Sequence, residues 1–170
     1  QAKRYGAFEE YYPWEKGYPP LAFSTLSIAK LVDDGVVKLE TVHDGLKIAS
    51  NQLLKRFESQ AANQQVAGLA ALSFIKKIDS SLIDDRIFCK LSNRTLSLQN
   101  NEGWFFEYGG PDLGYLSVTL DCLWDLFDAT GNFEYINSAS KAIDFIYKIT
   151  SVTKNSIGML NARNTDYVLP

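Results

Sequence analysis

The residues best suited to chemistry lie in one run, Gly103-Trp104-Phe105-Phe106-Glu107-Tyr108-Gly109-Gly110-Pro111-Asp112-Leu113-Gly114-Tyr115. Two carboxylates, Glu107 and Asp112, stand there among five aromatic rings, four glycines and a proline. Glycoside hydrolysis needs such a pair across the scissile bond, with one member kept protonated by a raised pKa. Glu107, beside Trp104 and Phe105, is the candidate acid. Asp112, or Glu10 from an earlier stretch, is the candidate partner. Asp112 also follows Pro111 at the start of a helical pattern, so an N-cap role has equal weight. The rings of Tyr11, Tyr18, Trp104, Tyr108 and Tyr115 offer an apolar body with a polar tip, which suits stacking on a sugar. The competing reading buries them between helices, and it should hold for at least half of them. The glycines and the proline imply a backbone held in special turns.

The same pattern occurs near the start of the chain. Gly6-Ala7-Phe8-Glu9-Glu10-Tyr11 matches Gly103 to Tyr108 as Gly-x-Phe-x-Glu-Tyr. At the same offset Glu15 pairs with Asp112, and Gly17-Tyr18 pairs with Gly114-Tyr115. Each copy leads into an apolar helix. A weaker third segment runs from Gly158 to Tyr167 and contains Arg163. Internal repetition points to stacked units rather than one unrepeated core.

Other chemistries find little support. The only histidine, His43, lies off the apolar stripe of its helix, which places it at the surface. Ser24, Ser117 and Thr119 therefore lack a base for a serine triad. No phosphate loop or dinucleotide fingerprint is present. Asp121, Asp125 and Asp128 share a helix and invite a metal reading, but a solvated acidic face is the common case. We assign no metal and no cofactor. Cys89 and Cys122 have no metal or redox spacing, and a reducing, cytoplasmic setting is favoured. Asn93-Arg94-Thr95 fits a glycosylation sequon, a triplet that often arises by chance. With 17 basic and 20 acidic residues in 170, there is no basic field for nucleic acid. No segment has the ~20 consecutive apolar residues that span a bilayer.

Helices must position these loops. Hydrophobic period predicts six, at about 20–33, 39–58, 63–78, 82–96, 113–129 and 133–149. The first and third are apolar nearly all round, so they should be buried. Small residues in the third should let a neighbour approach closely. The second carries the stripe Val42, Leu46, Ala49, Leu53 and Phe57. The fourth should face Ile87, Phe88 and Leu91 inward, and the fifth Leu116, Leu120, Leu123 and Phe127. The sixth has the stripe Ile136, Ala139, Ile143 and Ile146, capped by Asn132. Gly35 and Gly131 mark stops. No stretch alternates as a strand does. The expected fold is all-α: helical hairpins with buried inner and amphipathic outer helices, forming part of an α/α toroid, as an incomplete barrel or a solenoid. Residues 1–170 read as one helical-hairpin domain, a fragment of a longer chain. In that arrangement the loops entering the inner helices share one face, so Glu10, Glu107, Asp112 and Arg163 would converge.

The loop from Gly103 to Tyr115, with Ser117-Val118-Thr119-Leu120 after it, and the later Arg163-Asn164-Thr165-Asp166-Tyr167 resemble the sugar-facing loops of α/α-toroid carbohydrate-active proteins. These include heparinase- and alginate-lyase-type polysaccharide lyases, uronyl C5-epimerases and six-hairpin glycosidases. The resemblance covers the hairpin pattern across most of the chain and rests, residue by residue, on two short loops. It implies a domain that binds or processes a polysaccharide by hydrolysis, elimination or epimerisation, with a saccharide as ligand. Lyases of this kind use Tyr, His, Asn or Arg near an acidic sugar, and His43 is not placed for that. A lyase would rest on Tyr108 or Tyr115 with Arg163. The alternative is a non-catalytic helical-repeat module that binds a saccharide or serves as a scaffold. A terpenoid-cyclase-like toroid is weaker still, since no Asp-rich motif of that kind is present. An incomplete toroid would also self-associate through its exposed helical flanks.

Overall fold

The computed structural model describes residues 16–153. Among them are six α-helices: α1 (Tyr18–Asp33), α2 (Leu39–Lys55), α3 (Ala62–Ile78), α4 (Asp85–Leu96), α5 (Leu113–Thr130) and α6 (Phe133–Thr153). A 3-10 turn, Ser80–Leu82, precedes α4, and isolated β-bridges join Ala61 to Glu107, Gln99 to Phe105 and Glu107 to Gly110. The chain segment described is all-helical.

The apolar character of α3 decides the packing. Its residues Val66, Ala67, Leu69, Ala70, Ala71, Leu72 and Ile75 are wholly buried. Burying each large aliphatic side chain is worth about 1.5–3 kcal/mol, so a helix apolar on every side must lie at the centre. α1 and α5 pack along its two flanks, α2 lies against α1 and α3, α4 against α3, and α6 against α5. The alternation of buried and amphipathic helices thus becomes two layers, with α1, α3 and α5 in one. Gly68 permits a close approach within that layer. A Cβ there would overlap the Tyr18 hydroxyl of α1.

Several helix ends follow from named residues. Pro19 sits in the first turn of α1, where its missing N–H costs nothing. Gly35 and Gly131, at φ +73° and +68°, supply the left-handed turns after α1 and α5. Asp84 caps α4, its carboxylate accepting from the amides of Arg86 and Ile87. Asn132 accepts from the Glu134 amide at the start of α6, as expected of a cap.

The structure corrects four expectations. α2 ends at Lys55 rather than Glu58, because Arg56 turns extended and lays its guanidinium 5.2 Å from the Tyr18 ring. Phe57 therefore leaves the stripe and lies under Arg94, 3.7 Å from its ring centre. Ile87 points outward and is 50% exposed, while Phe88 alone of that pair is buried. On α6 the buried positions are Tyr135, Ser138, Ala142 and Phe145, so the inner face is rotated from the expected stripe, and Ile143 is 55% exposed. The acidic face of α5 is not wholly solvated either. Asp125 is buried and ion-paired with Lys30 of α1. Burial pushes its carboxyl up, against the pull of the ammonium. Among the described residues, no group of three or more His, Cys, Asp or Glu is placed to hold a metal ion. No described helix is long and apolar enough to cross a membrane.

Candidate functional site

α1, α3 and α5 run in one direction, and their N-terminal ends meet. Tyr18, first in α1, donates its hydroxyl to Gln65 near the start of α3, at 3.1 Å. The loop before α5 caps α3. The Glu107 carboxylate accepts from the Asn63 amide at 2.6 Å. At the other end of the layer, Lys30 meets Asp125 and Lys77 meets Asp33. The N-terminal end of the layer, its mouth, gathers Tyr108, Tyr115 and Gln64 at the surface, with Glu107, Asp112 and Asn63 buried beneath them.

The central loop is fixed from both sides. Phe106 accepts from the Ala62 amide at 3.1 Å, and the Tyr108 amide donates to the Gln60 carbonyl at 2.6 Å, which ties the loop to the entry of α3. Phe106 in turn donates to the Leu98 carbonyl at 3.1 Å, which ties it to the exit of α4. Glu107 and Gly110 exchange amide and carbonyl bonds at 2.9 and 3.1 Å, closing a tight turn. That turn needs left-handed backbone at two residues, Tyr108 at φ 47° and Gly109 at φ 108°. A tyrosine in that region carries roughly 1–2 kcal/mol of strain. Its ring is held out at 49% exposure, 6.4 Å from the Tyr115 ring, with Gln64 Nε2 donating to its hydroxyl at 3.1 Å.

Glu107 lies beneath this turn and is only 1% exposed. Desolvation pushes its carboxyl up to about 7. The Asn63 amide opposes that shift, whereas the charges of Asp112 and Glu58 reinforce it. Two buried acceptors there have no partner, Glu107 Oε2 and Asn63 Oδ1. A protonated Glu107 turns one of them into a donor. A carboxyl poised near neutral pH has the proton affinity that general acid catalysis requires. Asp112 N-caps α5, accepting from the Tyr115 amide at 2.9 Å, and is buried. The helix dipole and that amide hold it where it is.

The remaining candidates are distributed as follows. Trp104 is half-buried, and its indole N–H donates to Glu102 at 2.9 Å. Tyr115 is half-buried against Tyr108. Tyr18 is packed in the core at 4% exposure beneath Arg56, so it offers no open face for stacking. The reason is register. Tyr18 is the first residue of α1 but Tyr115 is the third of α5, and two residues turn a helix by about 200°. The matched tyrosines of the repeat therefore face differently. Glu10, Tyr11 and Arg163 lie outside the described residues. The sequence reading missed Asn63 and Gln64. Their signal was their place in the first turn of a buried helix, where polar residues are out of pattern. His43 pairs with Asp79 at 3.0 Å, tying α2 to the turn after α3. Asp79 is lowered by the Ser81 hydroxyl and by His43. Comparison with known proteins gives no match: no family model, no curated protein and no solved structure is significantly similar to this chain.

Proposed function

We propose that the three hairpins form part of an α/α toroid and that the mouth at the N-terminal ends of α1, α3 and α5 binds a saccharide. The observation that carries this reading is Tyr108. An aromatic side chain kept half-exposed by a strained, left-handed backbone, beside a second tyrosine and a glutamine amide, supplies a stacking face and hydrogen-bonding groups together. Side-by-side packing of α1, α3 and α5 supports the toroid, because inner helices of such a fold are neighbours. If the bound saccharide is processed, Glu107 is the residue to protonate the leaving oxygen, and it reaches substrate when the Tyr108–Gly110 turn opens. Asp112 stays with α5 as its cap.

The alternative is a non-catalytic helical-repeat module, and the near-complete burial of Glu107 favours it over an enzyme. Self-association belongs to the same proposal. Ile143, Tyr147 and Val152 are exposed on α6, the flank that a further hairpin or a second copy would cover. Cys89, an exposed free thiol, fits the cytoplasmic setting that we propose. Equilibrium binding of neutral and uronic-acid oligosaccharides tests the central reading. Tyr108→Ala should weaken binding at least tenfold, roughly the worth of a stacked ring with its hydrogen bond. Equal affinity for parent and Tyr108→Ala would remove the mouth from consideration. Glu107→Gln separates the two classes. An enzyme should lose turnover and keep binding, whereas a binding module has no turnover to lose.

A further inference from the structure

A concavity lies away from the mouth, between the C-terminal end of α4 and the face of α6. Its volume is about 340 Å³, at the small end of the roughly 300–1,000 Å³ typical of small-molecule sites. None of Glu107, Tyr108, Asp112 or Tyr115 lines it.

Its floor is locked. Gln99 Nε2 donates to the carbonyls of Gly103 and Ser138, both at 2.8 Å, and Gln99 Oε1 accepts from the Ser138 hydroxyl at 2.7 Å. Asn100 Oδ1 accepts from the amides of Glu102 and Gly103 at 3.1 and 3.0 Å. Gly103, at φ 104°, presses against α6 so closely that a Cβ would overlap the Lys141 carbonyl. The segment 99–103 is thereby fastened to α6 with its amide groups set in place. Preorganisation of this kind is what a binding site needs and what a surface loop does not.

The walls, by contrast, are unspent. Asn101, Asn137 and Lys141 line the concavity, and their side chains have no hydrogen-bond or ion-pair partner among the described residues. Asn100 Nδ2 is likewise unused, and Glu134 is engaged only through one oxygen, by Asn132 at 3.3 Å. Glu134, Asn137, Ser138 and Lys141 follow i, i+3, i+4, i+7 and share one helix face. The backbone positions of the two charged residues therefore lie about 10 Å apart along the axis, with Asn137 and Ser138 between them.

We infer that this concavity binds a small neutral polyol of the monosaccharide kind. Free amides donate and accept, as do hydroxyl groups, so a ligand rich in hydroxyls satisfies both. Lys141 and Glu134 are the only charged lining residues and cancel each other. An anion would meet Glu134 and a cation would meet Lys141, whereas hydroxyls can bond to either. Leu96 supplies the one apolar wall, against which the C–H face of a ring can rest.

The test is titration of the 170-residue chain with D-glucose, D-galactose and myo-inositol, and with sodium gluconate as the charged counterpart, followed by amide NMR. At least one neutral probe should move the signals of Asn100, Asn101, Asn137 and Lys141. Its dissociation constant should rise about fivefold in Asn137→Ala and in Lys141→Met, the value of one hydrogen bond. Both positions are exposed, so the variants should keep the parent circular dichroism. Residue-resolved signals separate this site from the mouth: the dissociation constant read at Asn101 and Asn137 belongs to the concavity, and that read at Gln64 and Tyr108 belongs to the mouth. The inference is overturned if no neutral probe moves those signals, if gluconate binds more tightly than every neutral probe, or if both pocket variants bind like the parent.

Discussion

Glu107 gives the sharpest energetic prediction. Folded, it titrates at about 7, against an ordinary value of 4.5. The difference makes ionised Glu107 costlier in the fold by about 3 kcal/mol, at 1.36 kcal/mol for each pH unit of displacement. The sign follows from proton counting. Between the two values the folded state holds a proton that the unfolded state has lost, so stability must fall as pH rises. The contribution is complete below about pH 4.5 and is lost as pH passes through about 7. Glu107→Gln keeps an oxygen for the Asn63 amide and removes the ionisable group. It should match the parent at acid pH and exceed it by about 3 kcal/mol above neutrality. Urea unfolding of both proteins across that range gives the difference directly, and subtraction removes groups common to both, such as the His43–Asp79 pair. Parallel pH profiles, or a parent that gains stability relative to Glu107→Gln from acid to neutral pH, would refute the reasoning.

Three further outcomes follow from the packing. Gly68→Ala should cost about 2 kcal/mol, because the added methyl overlaps the Tyr18 hydroxyl, and Tyr18→Phe in the same chain should recover part of it in a double-mutant cycle. Lys30→Met leaves Asp125 buried without its cation. Allowing for the partly exposed ammonium, the loss should be about 1–2 kcal/mol near neutral pH by chemical denaturation, recovered on adding Asp125→Asn. Asp112→Ala should cost about 1 kcal/mol through the lost cap of α5, and unchanged stability would contradict that role.

The hairpin order was legible because helix burial writes its period into the sequence. α3 reads as apolar all round, and α2 reads as a stripe, and each takes the layer that its pattern demands. Gly35 and Gly131 mark turns for the same local reason. What escaped was set by tertiary partners. Asp125 looks like one of three solvated acids until Lys30 reaches it from 95 residues away. Ile143 fits a stripe, but Tyr135 and Phe145 take the inner face of α6, which packs on α5. Glu107 was visible as a carboxylate among rings. Its bond to Asn63 spans 44 residues and has no sequence signature. The amides of the concavity beside α6 come from 99–101 and from one face of that helix, and scattered Asn and Gln carry no spacing signal. The coarse reading of an all-α fold stands for the described residues, while the stacking role expected of Tyr18 gives way to packing.

The most direct test of the mouth as a saccharide site is the thermal midpoint of the parent and Tyr108→Ala proteins against a panel of neutral and uronic-acid oligosaccharides. A ligand at a hundredfold excess over its dissociation constant stabilises the native state by about 2.7 kcal/mol. The account predicts a rise of several degrees for the parent with one sugar class, and about half that rise or less for Tyr108→Ala, whose dissociation constant is at least tenfold higher. A panel that leaves the parent unmoved, or a rise of equal size in both proteins, would contradict it.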